Sequence, residues 1–551
     1  MIKSMNERSL QDHWQQPDRS SRKKVLPYYS MGLLGLLLAA SQPVLAQIPE
    51  DALRMGWIMP SGTARNQAIG GAAGSLGGDL TSLFVNPAGL GVYKTGEAVM
   101  TPQIGLFNGT GKFRGTDTDA DQLSKFSMGT TGFVLGFGNR YNPGRTTAFG
   151  LGINRMANFN NVVKYKGLND YSSFSENMAN EFFDYYVGQK NQNPGMDDLD
   201  IIDDALDDPN ISLMTKMGLY TYLVDVDPGS STVFSRAEEA GVVMQENTIR
   251  TSGGITEVAL GFASNSNDKF YIGGSLGIPV VNYKRTSEYV ESDANGAGNN
   301  EFNYSSYTEN YTSKGFGLNL KLGVIFKPVS SLRIGLGLHT PTIYSLKDKL
   351  TSTMTTDIDT ATGNIKVFSV NSSVFYGNSD PSFKYDLSSP WRFLVSGAWV
   401  FGGVQDVSKQ QGFLTADLEY VTYGSARLRS GEDYSNDEQY FDDVNTALKA
   451  SYKGALNFRV GGEMKFNTIM GRLGFAYYGN PYEDAALKAS RMNLSGGIGY
   501  RNKGLFLDLT YVHSIYKDVH FPYRVDAPRM NTFAELRQNS GTVLVTMGVK
   551  I

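Results

Sequence analysis

From about residue 97 to its C-terminus the chain keeps returning to one pattern, with a large apolar side chain at every second position and polar or charged ones between. Between residues 455 and 466, Leu456, Phe458, Val460, Met464 and Phe466 share one parity, and Asn457, Arg459, Glu463 and Lys465 the other. A period of two is that of a β-strand with unlike faces. Leu318, Leu320, Leu322, Val324 and Phe326 alternate with Asn319, Lys321 and Lys327. After a turn at 328–331, Leu332, Ile334, Leu336 and Leu338 alternate with Arg333 and His339, which reads as a hairpin. The signature recurs at Trp391, Phe393, Val395 and Trp399, at Leu505, Leu507, Leu509 and Tyr511, and finally at Val543, Val545, Met547, Val549 and Ile551.

These segments predict about fourteen strands, beginning near Glu97, Lys125, Thr146, Glu246, Lys269, Ser313, Leu332, Ser388, Gly412, Gly454, Met470, Arg491, Gly504 and Gly541. Connections after even strands are short; those after odd strands are long and polar. A soluble sandwich has no cause to sort its loops by length, whereas a membrane barrel has tight periplasmic turns and large external loops. The fold class expected is all-β, a transmembrane antiparallel β-barrel over residues 95–551 with both ends of the barrel on the periplasmic side. One external loop, residues 167–245, is far larger than the rest.

Composition agrees with a single barrel. The chain has 551 residues with 62 Gly, 31 Tyr and 30 Phe, and its mean hydropathy is only −0.27, as strands that alternate their faces dilute their own apolar signal. After the leader, no apolar run approaches the roughly 18 residues of a spanning helix. The absence of cysteine excludes disulfides, thiolate metal sites and cysteine nucleophiles. A net charge of −4 gives no basic excess, so nucleic acid is set aside as a partner. Arg22-Lys23-Lys24, an apolar core at 31–40 and the small-residue end Val44-Leu45-Ala46 read as a signal peptide over residues 1–46.

The stretch 61–93 refuses the alternating pattern. It is rich in Gly, Ala and Ser, with the pairs Gly70-Gly71 and Gly77-Gly78, and favours neither a strand nor a long helix. It ends in Asn86-Pro87-Ala88-Gly89-Leu90, where Pro87 holds Asn86 out of the α region and stiffens the chain before the first strand. A leader, a segment of the form GTARxxAxGGAxGSLGGD, an NPAGL step and then alternating strands resemble the FadL-type outer-membrane transporters of long-chain fatty acids and other hydrophobic compounds. The resemblance implies that residues 47–94 form a plug inside a 14-stranded barrel, with Asn86, Pro87, Ala88 and Gly89 at its gate. It further implies that ligand leaves sideways through a gap at a kinked third strand, here marked by Asn154, Asn158, Asn160 and Asn161.

In the large loop, Phe174, Met178, Phe182 and Tyr185 recur at helical spacing, as do Leu199, Ile202 and Leu206, and then Leu213, Met217 and Tyr220. Helices so rich in apolar side chains must bury them, either against neighbouring loops or against a ligand landing from outside. The acidic run from Asp197 to Asp208 lacks the glycine turn of a calcium loop and reads as a solvated helix face. Only His339, His513 and His520 follow the leader, and no G-x-S-x-G elbow is present, so no enzyme and no cofactor is expected. The function expected is passive uptake of a hydrophobic small molecule, a long-chain fatty acid or hydrocarbon, by a monomer standing in outer-membrane lipid. The alternatives are an adhesion or structural barrel and a haemin receptor.

Overall fold

The computed structural model describes residues 49–139, 141–142, 144–294, 301–359, 365–402, 411–431, 438–526 and 529–551. The leader expected over 1–46 lies outside the described residues. The wall is a run of antiparallel strands. The first is Glu97–Met100 continued by Pro102–Phe113, the second Leu123–Met128 with Thr131–Gly138, and the third Thr146–Asn158 with Asn161–Asn169. The fourth, fifth and sixth are the long Val243–Ser266, Phe270–Asp293 and Tyr304–Val329. The seventh joins Leu332–His339 to Ile343–Asp359, the eighth Ser382–Ser388 to Arg392–Phe401, and the ninth Gly412–Thr422 to Arg427–Ser430. Gly454–Phe466, Ile469–Tyr478, Ser490–Asn502, Leu505–His520 and Ala534–Lys550 complete the fourteen. The last strand pairs back onto the first, with Glu97 opposite Lys550 and Gln103 opposite Leu544, so the sheet has no free edge there.

The wall is inside out relative to a soluble protein. Leu456, Phe458, Leu318, Leu320, Trp399 and Leu507 are all exposed on the outer face, whereas Asn457, Arg459, Asn319, Lys321 and Asp508 are buried within. Such a surface is stable only in hydrocarbon, and this is a transmembrane barrel. No helix among the described residues is long and apolar enough to cross a membrane. The sixth strand begins at Tyr304, well before the expected Ser313. Its extra residues stand above the lipid, where the outer face carries Thr308, Asn310 and Thr312 and no apolar alternation announces a strand.

The large loop folds into helices Glu176–Gln192, Asp198–Asp207 and Leu213–Tyr220 and a hairpin of Val224–Asp227 with Thr232–Ser235. It is fastened to the rim of the barrel by Glu291 of the fifth strand, which accepts hydrogen bonds from Ser173 Oγ (2.6 Å), the Phe174 amide (2.8 Å) and Gln245 Nε2 (2.7 Å).

Candidate functional site

Within the barrel the segment 61–93 is seated in a wall shaped to receive it. Gly70, Gly71, Gly77 and Gly78 adopt φ of 69°, 77°, 66° and 68°, a left-handed backbone open to glycine at little cost. On either side of them run short helices, Ala64–Ala68 capped by Thr63 Oγ1, and Ser82–Val85. Orphan backbone groups find partners on lumen-facing side chains. The Ala64 amide donates to Thr546 Oγ1 (2.7 Å), the Gly74 amide to Asp417 (3.2 Å), and Thr510 Oγ1 donates to the Ala64 carbonyl (2.7 Å).

Asn86 and Pro87 sit at the tightest part of this seat. Asn86 is extended (φ −146°, ψ 100°), as the residue before proline must be, and its Oδ1 caps the amide of Ala88 (3.2 Å). From Pro87 to Val92 the chain winds into a short 3-10 helix rather than a simple turn. Asn86 Nδ2 donates to the Gly74 carbonyl at 2.6 Å and reaches the Val324 and Leu336 carbonyls of the sixth and seventh strands at 3.3 Å. This is open to it because wall residue 323 is glycine, where any Cβ would overlap Asn86 Oδ1. At Gly273 a Cβ would meet the Pro87 carbonyl carbon at 2.6 Å. Ala88 and Gly89 are fully buried alongside.

Several charges inside the barrel pair with one another. Lys321 meets Glu257 at 2.5 Å, Arg459 meets Glu419 at 2.6 Å, and Arg472 bridges Glu463 (2.7 Å) and Asp508 (2.6 Å). Others bind the plug: Arg65 of the plug approaches Glu463 (3.3 Å), Arg333 donates to the Leu76 carbonyl, and Arg392 to that of Gly56. Above the plug, helix Pro49–Gly56 fills the outer lumen. Its Ala52, Leu53 and Met55, followed by Trp57, are buried in one cluster with Tyr344, Tyr385, Tyr423 and the external-loop residues Phe441 and Leu448. Between plug and wall lies a cavity of about 70 Å³ lined by Met55, Ile58, Gln67, Met156, Lys321 and His339 among others.

The wall itself parts between the second and third strands. Their ladder runs from Gly138 opposite Thr146 to Thr131 opposite Ile153 and stops. Beyond it the second strand's Leu123–Met128 pairs with the first strand, and the third strand's Asn161–Asn169 with the fourth. The third strand breaks at 159–160, beside Gly253 and Gly254 of the fourth, whose φ are 99° and 159°, and it carries a bulge at Met156, where the register shifts between the pairs Ala157–Ile255 and Arg155–Thr256. Its outer half bends inward, where Tyr165 is fully buried against Phe113 with ring centroids 5.3 Å apart.

Asn154 lies at the parting itself, accepting from Thr130 Oγ1 (3.1 Å) and donating to the Ser61 carbonyl (2.8 Å). Asn158 and Asn161 flank the break, and Asn160 within it donates to Asn158 Oδ1 (2.6 Å). The plug's backbone bridges the two strands there, as the Ser61 amide donates to the Arg155 carbonyl (2.8 Å) and the Thr130 amide to the Gly62 carbonyl (3.2 Å).

The apolar residues of the large loop correct one of the two expectations placed on them. Phe174, Met178, Phe182, Leu213 and Met217 are buried together with Tyr289, Tyr307 and Met354 of the wall, and Tyr185 is half-buried against them. They form the core of a cap, not an exposed landing face; of this set only Tyr220 stays at the surface, edge-on to Phe375. In the acidic helix the buried seam is Ile201 and Ala205, and Leu199 is 70% exposed. The three histidines are not brought together. His339 bonds the Val85 carbonyl (2.8 Å), His520 bonds Tyr165 (2.9 Å), and His513 lies beside Tyr511.

No family model matches the chain, and no curated protein is similar to it in sequence. Among solved structures it is similar to a Pseudomonas aeruginosa FadL homologue, at 13% identity over 90% of this chain and 99% of that one, with a TM-score of 0.49. The toluene transporter TodX of P. putida is similar at 11% identity, 89% and 98% coverage and a TM-score of 0.45. The toluene transporter TbuX of Ralstonia pickettii gives 12%, 89%, 98% and 0.45. In its own architecture, a 14-stranded barrel around an N-terminal segment that ends in the Asn86-Pro87 step, the chain resembles the FadL-type outer-membrane channels.

Proposed function

We propose that this barrel is a passive channel for hydrophobic small molecules, fatty acids or hydrocarbons, in which movement of the plug admits the ligand and the parted second and third strands release it sideways into the bilayer. The observation that carries this reading is the interrupted ladder beyond Thr131 and Ile153 beside an otherwise filled lumen. The cavity of about 70 Å³ between plug and wall is about half the roughly 150 Å³ of a cavity that holds benzene, which favours a plug that moves. An apolar ligand leaving water for the tyrosine-rich outer lumen gains roughly 25 cal/mol per Å² buried, and lipid behind the parting offers the same on the far side. Helix Pro49–Gly56 and the gate residues Asn86, Pro87, Ala88 and Gly89 are the parts that would shift.

Two measurements test this. Cells that depend on the chain for uptake should accumulate labelled oleate or labelled toluene, and the preferred one names the substrate class. A fatty acid bearing a diazirine should, on irradiation, label Met156, Phe159 or Tyr283 around the parting. Labelling confined to the external loops would leave a surface receptor instead.

A further inference from the structure

The outer face of the barrel carries a site for the phosphorylated head group of an external-leaflet lipid. We propose this from a row of lysines that cross-strand register brings together just above the apolar belt. Lys314 of the sixth strand stands directly opposite Lys347 of the seventh, and Lys347 directly opposite Lys384 of the eighth. All three are exposed and share the outward parity of Phe316 and Ile343. One step further out Lys284 and Lys349 flank them through Thr312.

Like charges placed directly opposite on neighbouring strands repel, and a sheet gains nothing by aligning them unless an anion sits between. Lys349 has its own carboxylate in Asp380 at 2.6 Å and Lys384 has a partner of its own, but among the described residues no carboxylate forms an ion pair with Lys314 or Lys347. Strands stand about 4.8 Å apart, so the row from Lys314 to Lys384 spans about 10 Å, the reach of one or two phosphates on a sugar-sized head group.

The row's position selects a lipid over a free anion. Immediately inward along the same strands lie Phe316, Leu318 and Ile343, exposed by 63%, 51% and 64%. Acyl chains would cover these while the head group meets the ammonium groups. The row is on the side of the long loops, which is the external leaflet. Elsewhere on the outer face Lys112 stands opposite Glu535 and Lys517 opposite Arg537, but neither place aligns three lysines on three neighbouring strands, as here, where Asp386 opposite Ser345 is the acidic neighbour at the inward edge.

The test uses the full-length barrel purified in detergent and titrated with lipid A, a phosphorylated and acylated disaccharide. Binding is read by native mass spectrometry and by the temperature at which the folded band is lost on gels. Wild type should retain lipid A and melt higher with it, and Lys314→Gln/Lys347→Gln should bind at least tenfold more weakly. Lys112→Gln, a charge loss elsewhere on the outer face at a lysine that stands opposite Glu535, should bind as wild type does. Dephosphorylated lipid A and inorganic phosphate should each fail to raise the melting temperature. Equal binding by the double variant overturns the proposal, as does undiminished binding of the dephosphorylated lipid; a response to inorganic phosphate alone would make this a free-anion site instead. If the double variant does not assemble, Lys347→Gln alone carries the comparison.

Discussion

A buried ion pair and one wall glycine show how much rests on single residues. Arg459 and Glu419 are both almost fully buried and 2.6 Å apart. Removing one partner strands a charge, which costs about 3–5 kcal/mol, whereas replacing both with apolar residues costs far less. Arg459→Leu should therefore lower the melting temperature of the folded band markedly, and Arg459→Leu/Glu419→Leu should recover part of the loss. Equal melting of all three proteins would contradict the inward placement. Gly323 makes a sharper case, because its missing Cβ is the space that Asn86 Oδ1 occupies. Gly323→Ala should unseat Asn86 and so behave like Asn86→Leu. Both should raise hydrogen exchange in the plug and ion leak across planar bilayers while barrel assembly survives. Wild-type exchange in Gly323→Ala would mean that the seat does not hold the plug.

At the scale of elements, the alternation of apolar and polar residues was enough to place the strands, because in a membrane barrel each side chain must choose between lipid and lumen. The sixth strand escaped where it leaves the lipid, since Tyr304 to Thr312 no longer has an apolar outer face to betray it. The seat escaped too. Gly273, Gly323, Gly461 and Gly474 all face the plug, but a glycine in a strand reads only as a weak position until its neighbour is known. Helical spacing located the apolar loop residues without saying which side they would bury, and the cap's own core took them. Within that cap, the ammonium of Lys190 and the hydroxyl of Tyr186 hold the Asp198 carboxyl below its ordinary value of 3.8. A depressed carboxylate contributes stability that is present above the unfolded value and lost as pH falls through the lowered one. Protection of helix Asp198–Asp207 against hydrogen exchange should thus hold from pH 8 to pH 5 and fall below about 4, and Asp198→Asn should remove that dependence. Protection that is flat to pH 3 in wild type would deny the contact its role.

For the molecule as a whole, barrel, plug and parted strands make one device only if the plug moves. The sequence announced a plug through its glycines and its Asn86-Pro87 step, but whether it is gate or stopper depends on packing against residues hundreds of positions away. Ser75 Oγ of the plug lies 2.9 Å from Ser396 Oγ of the eighth strand, and the chain has no cysteine of its own. Ser75→Cys/Ser396→Cys should therefore form a single disulfide that locks the plug to the wall. Uptake of labelled ligand by this variant is the most direct measurement. It should stop when the pair is oxidised and return on reduction. Undiminished uptake with the disulfide shown intact would contradict a moving plug.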